Sequence, residues 1–331
     1  MPFVTAFYRA LGTGMVISVD SPIDDKVRSA MESLIEDYEH VLSRFRNDSL
    51  IAAIGKAEHG GSFDFPDWCA PLFDLYDALF SATSGAIDPC VGEDLIRLGY
   101  DASLSFTVTQ DAPEHLGALR GRAVWGRDVT RHGTTLVTHE PVQLDFGACG
   151  KGYLVDLLGR MLRSTQFVID AGGDLLIHAE QPISVALEDP EDQSHAIGIA
   201  HIANGALCAS APSRRHWNVA VNERTQIAIH HLLNAIDGLP AQQTEASWAY
   251  IPCNPQHFNK LHHTADKSAN ATPDIARDYP AAVADGLATA LFVSDVAQLQ
   301  RTFDFTYATL DESRQIAVSR NFPADLFLRS A

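Results

Sequence analysis

Asp145-Phe146-Gly147-Ala148-Cys149-Gly150-Lys151-Gly152-Tyr153 opens the stretch that decides the fold, which runs on to Ile177. After Gly150 the apolar residues Leu154, Leu157, Leu158, Met161 and Leu162 recur at three- and four-residue steps, the stripe of an amphipathic helix. Phe167 to Ile169 then reads as a buried strand, Gly172-Gly173 as a turn, and Leu175 to Ile177 as a second strand. Helix and strand patterns alternate irregularly and without a repeat period. That favours an α+β fold over a doubly wound sheet.

The rest of the chain extends this reading. Upstream, Gly14 to Asp20 alternates like a strand, with Met15, Ile17 and Val19 on one face. Asp24 to Phe45 carries the strongest helical stripe, from Val27 and Met31 through Leu34, Ile35, Tyr38, Val41 and Leu42 to Phe45. A second helix opens at Pro66-Asp67 and stops at Gly85. Downstream, Asn254 to Asp278 is polar and weakly patterned, a surface loop with His257, His262 and His263 in it. No HExxH or comparable spacing is present, so surface histidines are the preferred reading over a metal site.

Composition narrows the function classes. The chain has 331 residues, 46% hydrophobic and 20% charged, ordinary for a globular protein. Its 24 Lys and Arg against 42 Asp and Glu give a net charge of −18, with no basic run to track a phosphate backbone, so nucleic acid is not an expected partner. An acidic chain also repels anions at long range, so a phosphate ligand needs local cations or a metal. Five scattered cysteines without a CxxC pair indicate neither a zinc site nor a disulfide framework. No signal-peptide pattern and no run of about 18 apolar residues occurs, so a cytoplasmic protein without membrane insertion is expected.

Two segments carry chemistry. In the opening stretch, Gly147, Gly150 and Gly152 precede a helix, where backbone N–H groups and the helix dipole favour an anion, and Lys151 can neutralise a phosphate. The spacing is neither a Walker A loop nor GxGxxG, so a tight strand-to-helix turn and a ligand loop both fit. In Pro280-Ala281-Ala282-Val283-Ala284-Asp285-Gly286-Leu287-Ala288-Thr289-Ala290, Asp285 and Thr289 are four residues apart and share a helix face. They offer two hard oxygen ligands to magnesium, although a buried small-residue helix with a satisfied Asp fits the same pattern. Weaker segments read as structural when taken singly: Ala171-Gly172-Gly173-Asp174 as a hairpin turn, Ser84 to Pro89 as a helix stop, and Ser213-Arg214-Arg215-His216 as a solvated cluster.

Taken in order, these segments resemble the ApbE family of FAD:protein FMN transferases. Ala10-Leu11-Gly12-Thr13 is similar to the family's MGT opening, and Ser43-Arg44-Phe45 with Asp48-Ser49 to the segment whose aromatic contacts the flavin. Gly85-Ala86-Ile87-Asp88-Pro89 resembles its G-x-x-D-P/V element, Asp145 through Tyr153 its LD-x-x-x-x-x-KGY loop, and Ala171 to Asp174 its GGD/N turn. His231-Leu232-Leu233-Asn234-Ala235-Ile236-Asp237-Gly238-Leu239-Pro240 resembles H-I-I-D-P-x-T-G-x-P, and Asp285 to Thr289 matches DALAT. The matches run from about residue 10 to residue 293 in the family's order.

The resemblance implies a single ApbE-like domain over residues 1–331, α+β, with two closely joined subdomains, mixed sheets and the active site between them. It implies transfer of the FMN half of FAD to a Thr or Ser hydroxyl of an acceptor flavoprotein, with AMP leaving. Asp285 and Thr289 would bind Mg²⁺ with the Ala148 carbonyl, and Asp285 would be essential to catalysis. Leu11, Phe45, Ala86, Ile87, Asp88, Asp145, Lys151 and His231 fall at FAD-site positions, and His231 is the candidate general base. The chain also departs from the pattern. Leu11 stands where Met is usual, Cys208-Ala209-Ser210-Ala211 replaces A-T-S-G, and Asn234-Ala235 replaces Asp-Pro. These losses keep two alternatives open: a pyrophosphatase that splits FAD into FMN and AMP, and a non-catalytic FAD-binding protein.

Overall fold

The computed structural model describes every residue except 9, 163, 165, 223–224, 255–273 and 328–331. His257, His262 and His263 and most of the expected surface loop lie outside the described residues; the loop's last residues, Ile275–Asp278, form one helical turn.

A nine-stranded sheet organises the molecule. Its strands are β1 (Phe3–Phe7), β2 (Met15–Val19), β3 (Phe167–Asp170), β4 (Asp174–Glu188), β5 (Ala196–Ser210), β6 (Thr244–Pro252), β7 (Thr306–Asp311), β8 (Ile316–Val318) and β9 (Ala324–Leu326). Strands β1 to β8 lie side by side in chain order, and β9 pairs with the first half of β5. The class is α+β, but every pair in this sheet is antiparallel where the resemblance implies mixed sheets. The turn between β3 and β4 gives one physical reason: Gly172 and Gly173 take φ of +71° and +110°, which reverses the chain within two residues.

Four helices matter for the site: α1 (Asp25–Leu42), α2 (Ala70–Ala82), α3 (Gly150–Gly159) and α4 (Pro280–Ala290). Asp24 caps α1 by accepting the Val27 N–H, and Met31, Tyr38 and Leu42 of its stripe are buried. The helix stops at Leu42, where Ser43 turns extended, so Phe45 lies beyond it. Pro66-Asp67 leads into a short 3₁₀ turn, and α2 itself starts at Ala70.

Side-chain alternation along the strands divides the core. Leu176, Ala206, Cys208, Ala249 and Ile251 face the layer of helices, whereas Ile177, Leu207, Trp248 and Leu310 fill a second core on the other side with Leu187, Ile202 and Phe322. Helix α4 lies between sheet and helices, and its residues from Pro280 to Ala288 are all buried. Small residues permit this. A Cβ on Gly152 would stand 2.1 Å from the Ala281 carbonyl oxygen, so α3 and α4 could not approach as they do. A third cluster joins Leu95, Leu98 and Leu116 to Trp217, Ile229 and Leu233. Among the described residues no helix is long and apolar enough to cross a membrane.

Candidate active site

Helix α4 starts at a proline, and the residue before it offers no side-chain cap. Its free N–H groups are met from the neighbouring helix: the buried Asp156 carboxylate of α3 accepts from Ala281 N–H at 3.1 Å and Ala282 N–H at 2.8 Å. Asp156 thereby fixes α4 against α3, and further along α4 Asp285 and Thr289 emerge on one face. Both reach the same loop. Asp285 Oδ2 accepts the Gly152 N–H at 3.0 Å, and its Oδ1 lies 3.5 Å from Lys151 Nζ. Thr289 Oγ1 donates to the Ala148 carbonyl at 3.3 Å and lies 3.4 Å from Ser210 Oγ. Buried Ser247 donates to the Ala288 carbonyl at 2.6 Å, tying α4 to β6.

Charge in this corner is unbalanced towards negative. Lys151 pairs with Asp174 and with Asp285, so two buried carboxylates face one ammonium. Burial, then the charge of Asp174, pushes the Asp285 carboxyl up to about 7, against the pull of Lys151 and of the Gly152 N–H. Burial alone would lower Lys151, but Asp174 and Asp285 outweigh it and hold the ammonium protonated. Asp174 Oδ1 is buried without a hydrogen-bond partner. The Asp285 carboxylate, the Thr289 hydroxyl and the Ala148 carbonyl are hard oxygen donors of the kind magnesium takes, few enough to leave positions for phosphate and water. Among the described residues no group of three or more His, Cys, Asp or Glu forms a metal cluster, so a cation here would depend on the Thr289 hydroxyl and the Ala148 carbonyl as well.

Asp145 and His231 are two further polar side chains at expected site positions, and each is held by its own partners. Asp145 accepts the Gly147 N–H at 2.6 Å and pairs with Arg44. Arg44 in turn donates to the Tyr100 carbonyl at 2.5 Å and lies 4.2 Å from the centre of the Phe45 ring, which is 41% exposed. Leu11 takes a left-handed φ of +52° and donates its N–H to Glu39 at 2.8 Å. His231 Nδ1 lies 3.2 Å from the Arg215 carbonyl, and Arg215 donates to the Gly12 carbonyl at 3.4 Å. A carbonyl can only accept, so Nδ1 carries the proton and Nε2 keeps its lone pair. Burial lowers His231 to about 4; His230 and Lys151 push the same way, while the bond to Arg215 and the charge of Asp145 oppose them.

The structure joins Ala148, Lys151, Asp285 and Thr289 directly, and brings Asp145 and His231 within the field of the same charges. Leu11 neighbours Gly12, which Arg215 links to His231, and Phe45 is tied to Asp145 through Arg44. Ala86 and Ile87 are buried, with the Ala86 carbonyl accepting from Ala235 N–H at 3.0 Å. Asp88 is placed differently: it is buried, with Oδ1 accepting the Cys90 N–H at 2.7 Å and Oδ2 3.4 Å from Arg122. Sequence reasoning passed over Asp156 and Arg122, and quoted Arg44 within Ser43-Arg44-Phe45 without giving it a role. Asp156 left a signal, as the one charge within the apolar run Tyr153 to Leu158.

The ApbE family model matches residues 11–254. Among curated proteins the chain is similar to the FAD:protein FMN transferase of Klebsiella pneumoniae (strain 342), 22% identical over 236 residues, covering 68% of this chain and 66% of that one. A second, of the same name, from Treponema pallidum (strain Nichols) is 26% identical over 250 residues and covers 65% of each. The chain thus spans just under two thirds of the length of these relatives. Among solved structures, the ApbE protein of Thermotoga maritima gives a TM-score of 0.74 at 19% identity, over 97% of both chains. The flavin transferase ApbE of Vibrio cholerae gives 0.72 at 17%, again over 97% of both, and likeness at this identity speaks for the fold. With the family model covering well over half its length, the chain belongs to the ApbE family.

Proposed function

We propose that the protein transfers the FMN half of FAD to a Thr or Ser hydroxyl of an acceptor flavoprotein, in a magnesium-dependent reaction that releases AMP. The observation that carries this reading is the junction of α4 with the glycine loop, where Asp285 meets Lys151 and the Gly152 N–H, and Thr289 meets the Ala148 carbonyl. The curated relatives' name, FAD:protein FMN transferase, points the same way.

Asp285, Thr289 and the Ala148 carbonyl would hold Mg²⁺, which when bound offsets the pyrophosphate charge and stabilises the charge that develops on its oxygens. Lys151 and the N-terminus of α3 favour the same anion. The acceptor hydroxyl oxygen forms a bond to the FMN phosphorus as the pyrophosphate P–O bond breaks and AMP leaves. The hydroxyl proton passes to His231 Nε2, whose lone pair is kept free by the Nδ1–H bond to Arg215. Lining the donor up opposite the leaving group is the main task left to the protein.

Hydrolysis of FAD is the second reading, favoured by the lost carboxylate and proline at Asn234-Ala235. Chromatography of the nucleotides after incubation with FAD and Mg²⁺ separates the two. Transfer predicts AMP only when acceptor is present; AMP with free FMN in its absence indicates hydrolysis, and unchanged FAD in both overturns both readings.

A further inference from the structure

Arg122 lies in a loop that belongs to none of the sequence motifs above, yet its side chain is fully buried. A buried guanidinium loses its hydration and needs partners to offset that loss, so its placement needs a reason. It forms an ion pair with Asp94 at 2.8 Å and lies 3.4 Å from Asp88, while one Nη donates to the Ala235 carbonyl at 2.6 Å and the other to the Ala123 carbonyl. Arg122 therefore grips the Ala86–Asp88 element and the hairpin that follows His231 at the same time.

The hairpin is Leu233–Asn234 paired with Leu239–Pro240. Three further bonds fasten it: Ala118 N–H to the Ala235 carbonyl at 3.1 Å, Leu119 N–H to the Ile236 carbonyl at 3.0 Å, and Ala235 N–H to the Ala86 carbonyl at 3.0 Å; beside them Gly117 N–H donates to Asp94 at 2.8 Å, tying the 117–122 segment to the same carboxylate that pairs with Arg122. Gly117 and Gly238 meet so closely that a Cβ on Gly238 would stand 2.5 Å from the Gly117 nitrogen. The Ala235 bond is particular to this chain's departure from the family pattern, because a proline at 235 has no N–H to give.

We propose that Arg122 is a positioning residue for the transfer reaction: with Asp88 and Asp94 it clamps the hairpin that directly follows His231 in the chain, and the Ala235–Ala86 bond takes over the constraint lost with the family's Asp-Pro. This rests on the transferase reading with His231 as base. In that reading Asp88 acts through Arg122 and not through contact with the flavin.

The test compares Arg122→Lys, Ala235→Pro and His231→Ala with the parent, measuring FMN transfer to an acceptor protein at saturating FAD and Mg²⁺, together with KM for FAD and the pH profile of kcat/KM. Lysine keeps the charge but cannot reach two carboxylates and a carbonyl together. The expected result for Arg122→Lys is a fall in kcat of about tenfold or more with KM for FAD within about twofold, since about 1 Å of misplacement can cost up to about 100-fold. Ala235→Pro, which removes one backbone bond from the hairpin and no side-chain contact of Arg122, should lose several-fold in the same sense and guards against a fold failure in the first variant. In both, the acid limb of the profile should move up towards the ordinary histidine range as the half-buried His231 becomes more solvated. The groups facing His231, namely Lys151, Asp145, His230 and the Arg215 carbonyl, are unchanged in these variants. If both variants kept kcat and the parent profile while His231→Ala was inactive, the clamp would be refuted and the transferase reading would stand. If His231→Ala retained full activity, the base assignment would fail, and the clamp with it.

Discussion

Asp285 and Thr289 are one helical turn apart, yet their contributions should differ sharply. The carboxylate supplies charge in a buried corner, whereas the hydroxyl is a neutral donor that water can replace. Asp285→Asn should lower the rate of AMP release by about 100- to 1000-fold, and Thr289→Ala by far less, with circular dichroism showing both folded. Normal turnover by Asp285→Asn would remove the metal assignment. At His231 the sign of the pH dependence follows from burial. A base must be neutral to work, and with its pKa lowered to about 4 the imidazole stays neutral well below pH 6. With Mg²⁺ saturating, so that the Asp285 carboxyl stays ionised, the kcat/KM profile should therefore be flat on its acid side down to about pH 5, and a half-point near about 6.5 would mean a solvated histidine. Residues of this kind were legible because their partners are near in sequence or in a recognisable motif. Arg122 was not legible: Asp94 and Ala235 stand 28 and 113 positions away, and nothing in Gly121-Arg122-Ala123 announces burial.

Among the elements, β2 and α1 were readable because each buries one side and alternates cleanly, with Met15, Ile17 and Val19 inward in one and Met31, Tyr38 and Leu42 in the other. Helix α4 was readable only through Pro280 and its paired oxygens, since a helix buried on all sides has no stripe. The sequence reading took only Leu175 to Ile177 of β4, which runs to Glu188. Beyond His178 the register shifts and residues 180–182 are exposed, with Pro182 unable to donate to the ladder, so alternation is lost there. The α3–α4 junction makes the prediction at this scale. Asp156→Ala strips the cap from α4 and leaves two buried N–H groups without acceptors, which should cost about 1–3 kcal/mol in urea melts. Activity should fall with it, because the same helix carries Asp285 and Thr289. An unchanged melting curve would mean that α4 is held by packing alone.

For the whole molecule, the net charge of −18 would keep anions away, so an anionic dinucleotide must find its affinity locally. The cations at the site are few: Lys151 at the glycine loop, Arg44 paired with Asp145, and Arg215 reaching across to Gly12. If the site receives pyrophosphate and adenosine as well as the flavin, FAD should bind more tightly than FMN by calorimetry with Mg²⁺ present, and equal affinities would contradict that extent. The central claim is that the phosphorus of FMN ends on a protein hydroxyl. The direct measurement is the intact mass of an acceptor carrying a family-type target threonine after co-expression with this protein. The account predicts one covalent FMN adduct on that threonine, absent when His231→Ala replaces the parent. An unmodified acceptor, with FAD and Mg²⁺ supplied and the acceptor proven with another family member, would contradict it.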